Sequence, residues 1–354
     1  MDCHMLSANG CGDTYSWYGL QAQDALDAAD MDEGTTMESR LRVRKLLCFS
    51  VVLCAAIFAG TSSPLAGSPE SKVRFLTSDP NATDEWPCFS PDGKTVLFSR
   101  TTDDGQHWEL FMVPASGGTA HRLTAVPLPV SATRADWSRQ NNQIAFTGTS
   151  GDGFSTVWLI NPDGTHARPL AATGLTEVVF YPTWYPDGDH LVVRDVGEQA
   201  IKRIDLRSHA AEMVTHREQI LAGMASVSPD GKWLAIAGQK GVGQTYTRMT
   251  NAIWLVGPAG EMRSLETPPR QGRNPSWSPD GQWLAFTSTR SNSQQLAGTF
   301  IVKPDGTGLR QVTPNDLDAS HPVWSPDGKQ LAFSARRSKD PAPRGIAIMD
   351  ISTP

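Results

Sequence analysis

The chain has 354 residues, of which 39% are hydrophobic and 19% are charged, and its formal net charge is −6. This composition supplies enough apolar side chains for a large core and is not that of a disordered chain. Residues 1–36 carry seven acids and no Lys or Arg, whereas acids and bases nearly balance after residue 45. The body of the chain therefore lacks the basic surface that phosphate-backbone binding requires, and we expect no nucleic-acid partner.

The first element along the chain is a candidate export signal. Basic residues are concentrated in 40–45, and the apolar run LLCFSVVLCAAIFAG follows at 46–60, before small residues. This order is typical of a secretory signal peptide, and the run is short for a membrane-spanning helix. We predict a signal peptide over 37–66 that begins at Met37 and a periplasmic mature chain. Residues 1–36 then form an acidic extension that is not necessarily translated. An uncleaved signal anchor is the alternative.

Cysteine is scarce after this segment. Only Cys88 follows the expected cleavage region, so neither an internal disulfide nor a thiolate cluster is expected in the mature chain. Cys48 and Cys54 each follow leucine, which does not favour acylation at either position. We interpret Cys88 as a small buried apolar residue and expect no metal and no cofactor.

One short phrase recurs through residues 67–354. Ser or Tyr followed by Pro-Asp-Gly occurs five times, and a degenerate copy fills the remaining gap. Successive copies begin 43 to 50 residues apart, at Ser90, Ser138, Tyr185, Ser228, Ser278 and Ser325. Pro presets φ at the first corner of a tight turn, and Gly supplies the positive φ that returns the chain. In the degenerate copy we expect Asn141 to replace Gly.

Each copy of the phrase is flanked by alternating apolar residues. An aromatic or large apolar residue precedes the turn, and two apolar positions, as in Val96 and Phe98, follow it. Such alternation on both sides of a turn predicts a β-hairpin, and two more short strands follow in each copy. Four strands per repeat and six repeats predict an all-β, six-bladed β-propeller. Residues 73–77 resemble a fourth strand without a preceding blade, so we place them in the last blade, where they close the ring.

At these residues the chain resembles the TolB-like propeller family, whose blades carry the same aromatic-Ser-Pro-Asp-Gly hairpin. The resemblance covers about residues 72–354, but an α/β domain like the one that precedes the TolB propeller is not expected here. It implies an exported propeller that binds an envelope protein such as a peptidoglycan-associated lipoprotein. Related blades occur in propellers attached to serine peptidases and in pectin-fragment lyases. The absence of G-x-S-x-G from the sequence disfavours a peptidase.

The position just before each innermost strand varies from copy to copy, unlike the hairpin positions. We expect these six residues to crowd the mouth of the central channel: Trp86, Arg134, Tyr181, Met224, Asn274 and His321. Aromatic and Arg side chains in one funnel suit a protein-binding hot spot, and they also suit a sugar site or simple filling of the channel. We name this set the mouth column.

Two other features of the sequence bear on ligand binding. The stretch GQKGVGQT, at 238–245, nearly matches a phosphate-binding loop, but Gln244 replaces the essential Lys, so we interpret it as an ordinary loop. With 289–299 and 336–345 it forms three long connections in successive blades, which we place on one rim of the ring as a second docking surface.

Two functional hypotheses follow. The first is a non-enzymatic, monomeric module that binds an envelope protein or lipoprotein through the mouth column or the long-loop rim, with no catalytic residues. The alternative is a carbohydrate-binding protein or lyase that acts on acidic oligosaccharides, with Arg134, Tyr181 and His321 at its site.

Overall fold

The structure is a computed structural model, and it describes residues 73–102, 105, 107–124, 128–240, 251–265, 271–289, 296–337 and 342–351. The acidic extension and the candidate signal segment lie outside these residues, as do parts of the three long connections. The part of the chain that the structure describes has no helix with the length and apolarity of a membrane span.

The described residues form 24 strands in six four-stranded antiparallel sheets. The first three blades contain, in chain order, β2 (Asp84–Phe89), β3 (Thr95–Thr101), β4 (Trp108–Pro114), β5 (His121–Arg122), β6 (Ser131–Trp137), β7 (Ile144–Thr149), β8 (Ser155–Ile160), β9 (Arg168–Pro169), β10 (Val179–Trp184), β11 (His190–Asp195), β12 (Ala200–Asp205) and β13 (Ala210–Met213).

The last three blades continue the same order of strands. They contain β14 (Leu221–Val227), β15 (Leu234–Gln239), β16 (Ala252–Val256), β17 (Met262–Leu265), β18 (Arg273–Trp277), β19 (Leu284–Thr289), β20 (Ala297–Val302), β21 (Arg310–Gln311), β22 (Leu317–Trp324), β23 (Gln330–Arg337) and β24 (Gly345–Asp350), with β1 (Arg74–Phe75) at the edge of the sixth blade. The predicted all-β, six-bladed propeller is confirmed.

The first strand of each blade contacts the first strands of both neighbouring blades, and β22 contacts β2 to complete the cycle. These six strands therefore surround the axis of the ring. The ring closes as the sequence predicts, because β1 pairs with β24 in the register Arg74↔Ile348 and Phe75↔Ala347. Beyond the paired residues, Leu76 N donates to Ile346 O at 2.7 Å, and Ile346 N donates to the Thr77 hydroxyl at 2.8 Å.

The core lies between adjacent blades. Side chains alternate along each second strand, so Phe98 packs toward the sixth blade while Leu97 packs toward the second. Phe98, Phe146, Phe286 and Phe333 share this position and are among the largest fully buried side chains. Burial of each ring stabilises the fold by about 1.5–3 kcal/mol. Cys88 is buried in the core between the first two blades, as predicted, and burial raises the pKa of its thiol well above the usual value.

The recurring phrase forms a locked turn. In the first copy the Ser90 hydroxyl donates to Asp92 Oδ1 at 2.7 Å, and the same oxygen accepts Lys94 N at 3.0 Å. Gly93 N donates to Ser90 O at 2.9 Å, and Gly93 has φ of 72°. Hydrogen bonds between the same positions recur in the fourth, fifth and sixth blades. In these four turns Ser, Asp and Gly therefore stabilise the turn itself.

The expectation for the degenerate turn is wrong in one respect. Positive φ lies at Asn142, with φ of 55°, and not at Asn141. Asn141 instead takes the role of Asp, because its Oδ1 accepts Gln143 N at 3.2 Å. The Asn142 side chain accepts the Trp137 indole N–H at 2.8 Å. This turn lacks Pro and Gly, and the residues that match Asp and Gly of the other copies lie one position later in the chain, at Asn141 and Asn142.

Candidate functional site

A β-bulge places each mouth-column residue. In the first blade Glu85 pairs with Ser99 and Cys88 with Leu97, so two residues, Trp86 and Pro87, oppose only Phe98. A bulge occurs in the first strand of every blade, although in the fourth blade it lies one residue earlier, where Gly223 and Met224 oppose Ala237. The mouth column therefore lies within the first strands and not just before them, which corrects the sequence-based placement. Such a bulge bends the strand and redirects a side chain. Here the redirected side chains are those of the mouth column.

Five of the six mouth-column residues adopt the left-handed backbone conformation. The φ angles are 56° for Trp86, 54° for Arg134, 62° for Tyr181, 51° for Asn274 and 55° for His321. This conformation is uncommon for residues other than Gly, Asn and Asp, and bulky side chains adopt it at a cost. In three blades the column residue is held by a hydroxyl of the preceding blade, since Trp86 N, Tyr181 N and His321 N donate to Ser334, Thr147 and Thr287 at 3.0–3.1 Å.

The structure brings all six mouth-column side chains into one cluster. The Arg134 guanidinium carbon lies 4.5 Å from the Trp86 ring centroid and 4.1 Å from the Tyr181 ring centroid. Arg134 also reaches across the axis to Met224 Sδ at 3.4 Å, and Asn274 donates to the same sulfur at 2.9 Å. Trp86 is buried, whereas the other five remain partly exposed. The sequence therefore predicted which residues would meet at the axis, while their role in binding stays a prediction.

His321 completes the cluster and is oriented by two partners. The Trp86 indole N–H donates to His321 Nε2 at 3.1 Å, so this nitrogen is an acceptor and the imidazole proton lies on Nδ1. Nδ1 faces Glu85 Oε2 at 3.3 Å and the Ser320 hydroxyl at 3.1 Å. Burial, together with the positive charges of Arg134 and Arg344, lowers the pKa of His321 to about 4 against the opposing effect of Glu85. The imidazole is therefore neutral at neutral pH.

Beside the mouth column lies a charged network that the sequence did not reveal. Arg344 Nε lies 3.4 Å from Glu85 Oε1, and Arg344 Nη2 lies 2.5 Å from Asp318 Oδ2. Arg344 Nη1 donates to the Ser320 hydroxyl at 2.9 Å. Burial opposes ionisation of Glu85, but Arg344 and His321 outweigh it and lower the pKa of Glu85 to about 2. The network joins the first and last blades at the seam where the ring closes.

The described ends of the three long connections lie on the same face of the ring as the mouth column. Antiparallel pairing brings the start of each first strand beside the end of the second, as in Leu317↔Arg337 and Leu221↔Gln239. The three long connections leave from these ends, although 241–250, 290–295 and 338–341 lie outside the described residues. Arg344, at the end of one connection, contacts Glu85 next to the mouth column.

The stretch that resembles a phosphate-binding loop begins inside a strand. Gly238 pairs with Ala252, and β15 continues through Gln239, whereas the rest of the stretch from residue 241 lies outside the described residues. The first glycine therefore belongs to a sheet, which corrects the assignment of the whole stretch to a loop. Among the described residues no group of three or more His, Cys, Asp or Glu side chains is arranged to hold a metal ion.

Solved structures with the same architecture include a TolB from Agrobacterium tumefaciens, which is 18% identical, with a TM-score of 0.59 over 81% of this chain and all of that one. A TolB from Acinetobacter baumannii is 14% identical, with a TM-score of 0.52 over 77% of this chain and 80% of that one. The fold is that of the TolB-like propellers.

The same fold also occurs in enzymes. An oligogalacturonate lyase in complex with manganese is 15% identical, with a TM-score of 0.52 over 81% of this chain and 94% of that one. A gluconolactonase from Xanthomonas campestris is 14% identical, with a TM-score of 0.58 over 80% of this chain and 90% of that one. The TolB-like fold is therefore shared by proteins named as enzymes and by TolB.

Sequence comparison gives two partial matches. An uncharacterized peptidase, YuxL of Bacillus subtilis, is 27% identical over 165 residues, which are 47% of this chain and 23% of that protein. An uncharacterized protein, YidR of Escherichia coli, is 33% identical over 132 residues, which are 34% of this chain and 31% of that protein. The chain thus matches less than a third of the length of either relative. No protein-family model matches the chain.

Proposed function

We propose that this TolB-like propeller is an exported interaction module that binds a segment of an envelope protein at the mouth column. The observation that carries the proposal is the stacking of the Arg134 guanidinium against the rings of Trp86 and Tyr181 at the ring axis. Trp, Tyr and Arg are the residues most enriched at binding hot spots, where packed and desolvated side chains supply most of the binding energy.

The geometry also favours a preorganised site. The bulges hold five of the six mouth-column residues in a strained backbone conformation. Their side chains already contact one another, so they lose little rotamer entropy when a partner binds. The described ends of the long connections of three successive blades leave from the same face as the mouth column. The partner's chemistry is that of an extended segment with an apolar side chain for the aromatic floor and a carbonyl or carboxylate for Arg134.

Export of the chain is part of the same proposal. It rests on the basic residues 40–45 and the apolar run 46–60, which are typical of a signal peptide. A periplasmic location would bring the propeller to lipoproteins of the cell envelope, of which a peptidoglycan-associated lipoprotein is our first candidate.

The test combines crosslinking with purified binding. The tagged protein is crosslinked in cells, its partners are identified by mass spectrometry, and binding to the purified peptidoglycan-associated lipoprotein of the same organism is measured by calorimetry. Arg134→Gly with Tyr181→Gly should weaken binding about 30-fold or more, since each hot-spot residue contributes roughly 1–2 kcal/mol. Gly is chosen because it tolerates the left-handed conformation.

Lys232→Ala is the matched control, because Lys232 is exposed beside a turn on the opposite face of the ring. It should leave binding unchanged. If no envelope protein is enriched, or if the double variant binds as tightly as the parent protein, the interaction module is wrong.

A second candidate function is binding or cleavage of an acidic oligosaccharide. The observation that favours it is the neutral His321, whose Nδ1 lies 3.3 Å from Glu85 Oε2 in the partly exposed cluster that contains Arg134. Arg134 is suited to a sugar carboxylate, and the aromatic rings to the sugar face. Incubation with oligogalacturonate tests this candidate: an unsaturated product that His321→Asn abolishes would support a lyase, and unchanged substrate would refute it.

A further inference from the structure

A strip of apolar side chains leads outward from the mouth column along the seam between the second and third blades. Phe180 begins it next to Tyr181, with ring centroids 5.6 Å apart, and the partly exposed Val178 follows. Val178 is bridged to Ser155, the residue after Phe154. Phe154 is 47% exposed and is the only large apolar side chain of the described residues that is strongly exposed. We name Phe154, Val178 and Phe180 the seam strip.

Backbone hydrogen bonds hold the strip in place. Ser155 N donates to Glu177 O at 3.3 Å, and Val196 N donates to Val178 O at 3.0 Å. The connection at 176–178 is therefore fixed between two hairpins, the one that joins β7 to β8 and the one that joins β11 to β12. Each hairpin follows the end of a second strand, so the strip lies on the face of the ring that carries the mouth column.

The seam that closes the ring shows why this strip is open. Glu85 and Phe180 each directly precede a mouth-column residue, and Arg344 and Ser155 are equivalent by strand register. At the closing seam the Arg344 side chain lies against Glu85, with Nε 3.4 Å from Oε1. At the seam between the second and third blades the shorter Ser155 is buried, and its hydroxyl bonds to Thr149 Oγ1 at 2.8 Å. No long side chain from this position covers Phe180, which stays partly exposed.

The surroundings of the strip carry negative charge. Asp152, Glu177 and Glu198 are exposed, one on each of the three segments that the backbone bonds join. None of the three carboxylates forms an ion pair with another residue in the described part of the chain. Residues 150–154, 175–180 and 196–199 contain no Lys or Arg, and the nearby Lys202 is buried and paired with Asp195 at 2.9 Å. The strip is therefore an apolar surface bordered by carboxylates.

We infer that the seam strip binds an extended segment of a partner protein in which apolar side chains alternate with Lys or Arg. The apolar side chains pack on Phe154 and Phe180, and the basic groups face the carboxylates. An acidic segment is repelled, and a basic segment without apolar side chains lacks the anchor, so the surface selects for both properties. The strip adjoins the mouth column but shares no residue with it, so the two docking surfaces can be tested separately.

Titration calorimetry on the whole protein tests the inference with a short peptide in which lysine and leucine alternate and both ends are blocked. At low ionic strength it should bind with a Kd below about 1 mM. The same peptide with glutamate for lysine, or with glycine for leucine, should bind at least about tenfold more weakly.

Variants of the strip should separate its two contributions. Phe154→Ser should raise the Kd of the lysine–leucine peptide about fivefold, because it removes the exposed anchor. Glu177→Gln combined with Glu198→Gln should raise it about threefold at low ionic strength. This second effect should disappear near 1 M salt, where charges on the surface are screened.

The matched control is Glu261→Gln, which removes an exposed carboxylate from a turn on the opposite face of the ring and should leave the Kd unchanged. The changed side chains are all exposed, and circular dichroism checks that each variant is folded. If the lysine–leucine peptide does not bind, or if the peptides with glutamate or glycine bind equally well, the inferred surface is wrong. A peptide bound elsewhere, including at the mouth column, would be insensitive to Phe154→Ser, and that result would also overturn the inference.

Discussion

The two ends of the first strand in each blade solve the same backbone problem in opposite ways. At the turn end, Gly93, Gly188, Gly231, Gly281 and Gly328 carry positive φ of 69° to 72°. At the bulge end, five of six blades place Trp, Arg, Tyr, Asn or His in the same left-handed region. Glycine adopts this region without steric cost, whereas a bulky residue does so at roughly 1 kcal/mol or more.

This difference distinguishes the residues that build the turns from the residues that are candidates for binding. The turns retain the residue that relaxes the backbone, and their Ser and Asp side chains bond only within the turn. The bulges retain residues that strain the backbone, and their side chains meet at the axis of the ring. Strain that persists in a fold is concentrated at sites where side chains have a task, so the bulge end is the better place to look for function.

Opening the ring would break this comparison most strongly, because both ends depend on closed packing. Deletion of residues 68–78 removes β1 and its flanking residues, of which Val73, Phe75 and Leu76 pack against the sixth blade. Loss of their burial should lower the free energy of unfolding by roughly 4–6 kcal/mol in urea denaturation. A variant that lacks the residues up to 72 keeps the strand and is the control. Equal stability of the two truncations would contradict ring closure by β1.

Acid should weaken the charged network at the bulge end. The pKa of His321 is lowered from 6.5 to about 4, and that of Glu85 from 4.5 to about 2. The pKa of each group in the folded protein lies below its ordinary value. The contribution of each group to the free energy of unfolding is therefore complete above the ordinary pKa, and it is lost as the pH falls toward the pKa in the folded protein. The expected loss is on the order of 2–3 kcal/mol per group.

Denaturation measured from pH 7 to pH 2 checks this prediction. His321→Asn should flatten the dependence between pH 6.5 and 4, and Glu85→Gln should flatten it between 4.5 and 2. Glu218→Gln changes an exposed carboxylate far from this network in sequence and serves as the control. A His321→Asn profile that matches the parent protein over the upper range would show that the imidazole is not held neutral.

Exchange of alanine and glycine at the two ends sharpens the comparison directly. Gly93→Ala should cost about 1–2 kcal/mol, because its φ of 72° disfavours a Cβ atom. At Tyr181, where φ is 62°, the Gly variant should exceed the Ala variant in stability by about 1 kcal/mol for the same reason. Thermal unfolding of the three variants measures both differences. A Tyr181→Ala protein as stable as Tyr181→Gly would mean that the bulge carries no strain.

The degenerate turn gives the smallest and most local test. Asn141→Gly should destabilise the fold by about 1 kcal/mol, because the Asn141 side chain accepts Gln143 N and donates to Gly188 O. Asn142→Gly relieves a positive φ but loses the bond to Trp137, so its net effect should be within about 0.5 kcal/mol. If Asn142→Gly were more destabilising than Asn141→Gly, Asn141 and not Asn142 would be the residue equivalent to the glycines of the other copies.

The repeat made most of the fold predictable. Period-two alternation around the turn at Ser90 and its counterparts fixes the strands, their faces and the number of blades, and the unpaired strand at 73–77 fixes closure. Variation within an otherwise regular repeat also identified the mouth column. The bulge itself was missed, although Pro87, Pro182, Pro275 and Pro322 directly follow a column residue, and Pro inside a strand signals such a distortion.

By itself the sequence determined local structure, since turn chemistry and alternation depend on neighbours along the chain. It could not reveal that Glu85, His321 and Arg344 form one network, because these residues are far apart in sequence and meet only when the last blade joins the first. Nor could it show that Trp277 lacks an acceptor while Trp324 has one, since both occupy the same position in the repeat. Whether two such groups form a contact depends on distances of a few ångströms between blades. Only the closed ring sets these distances.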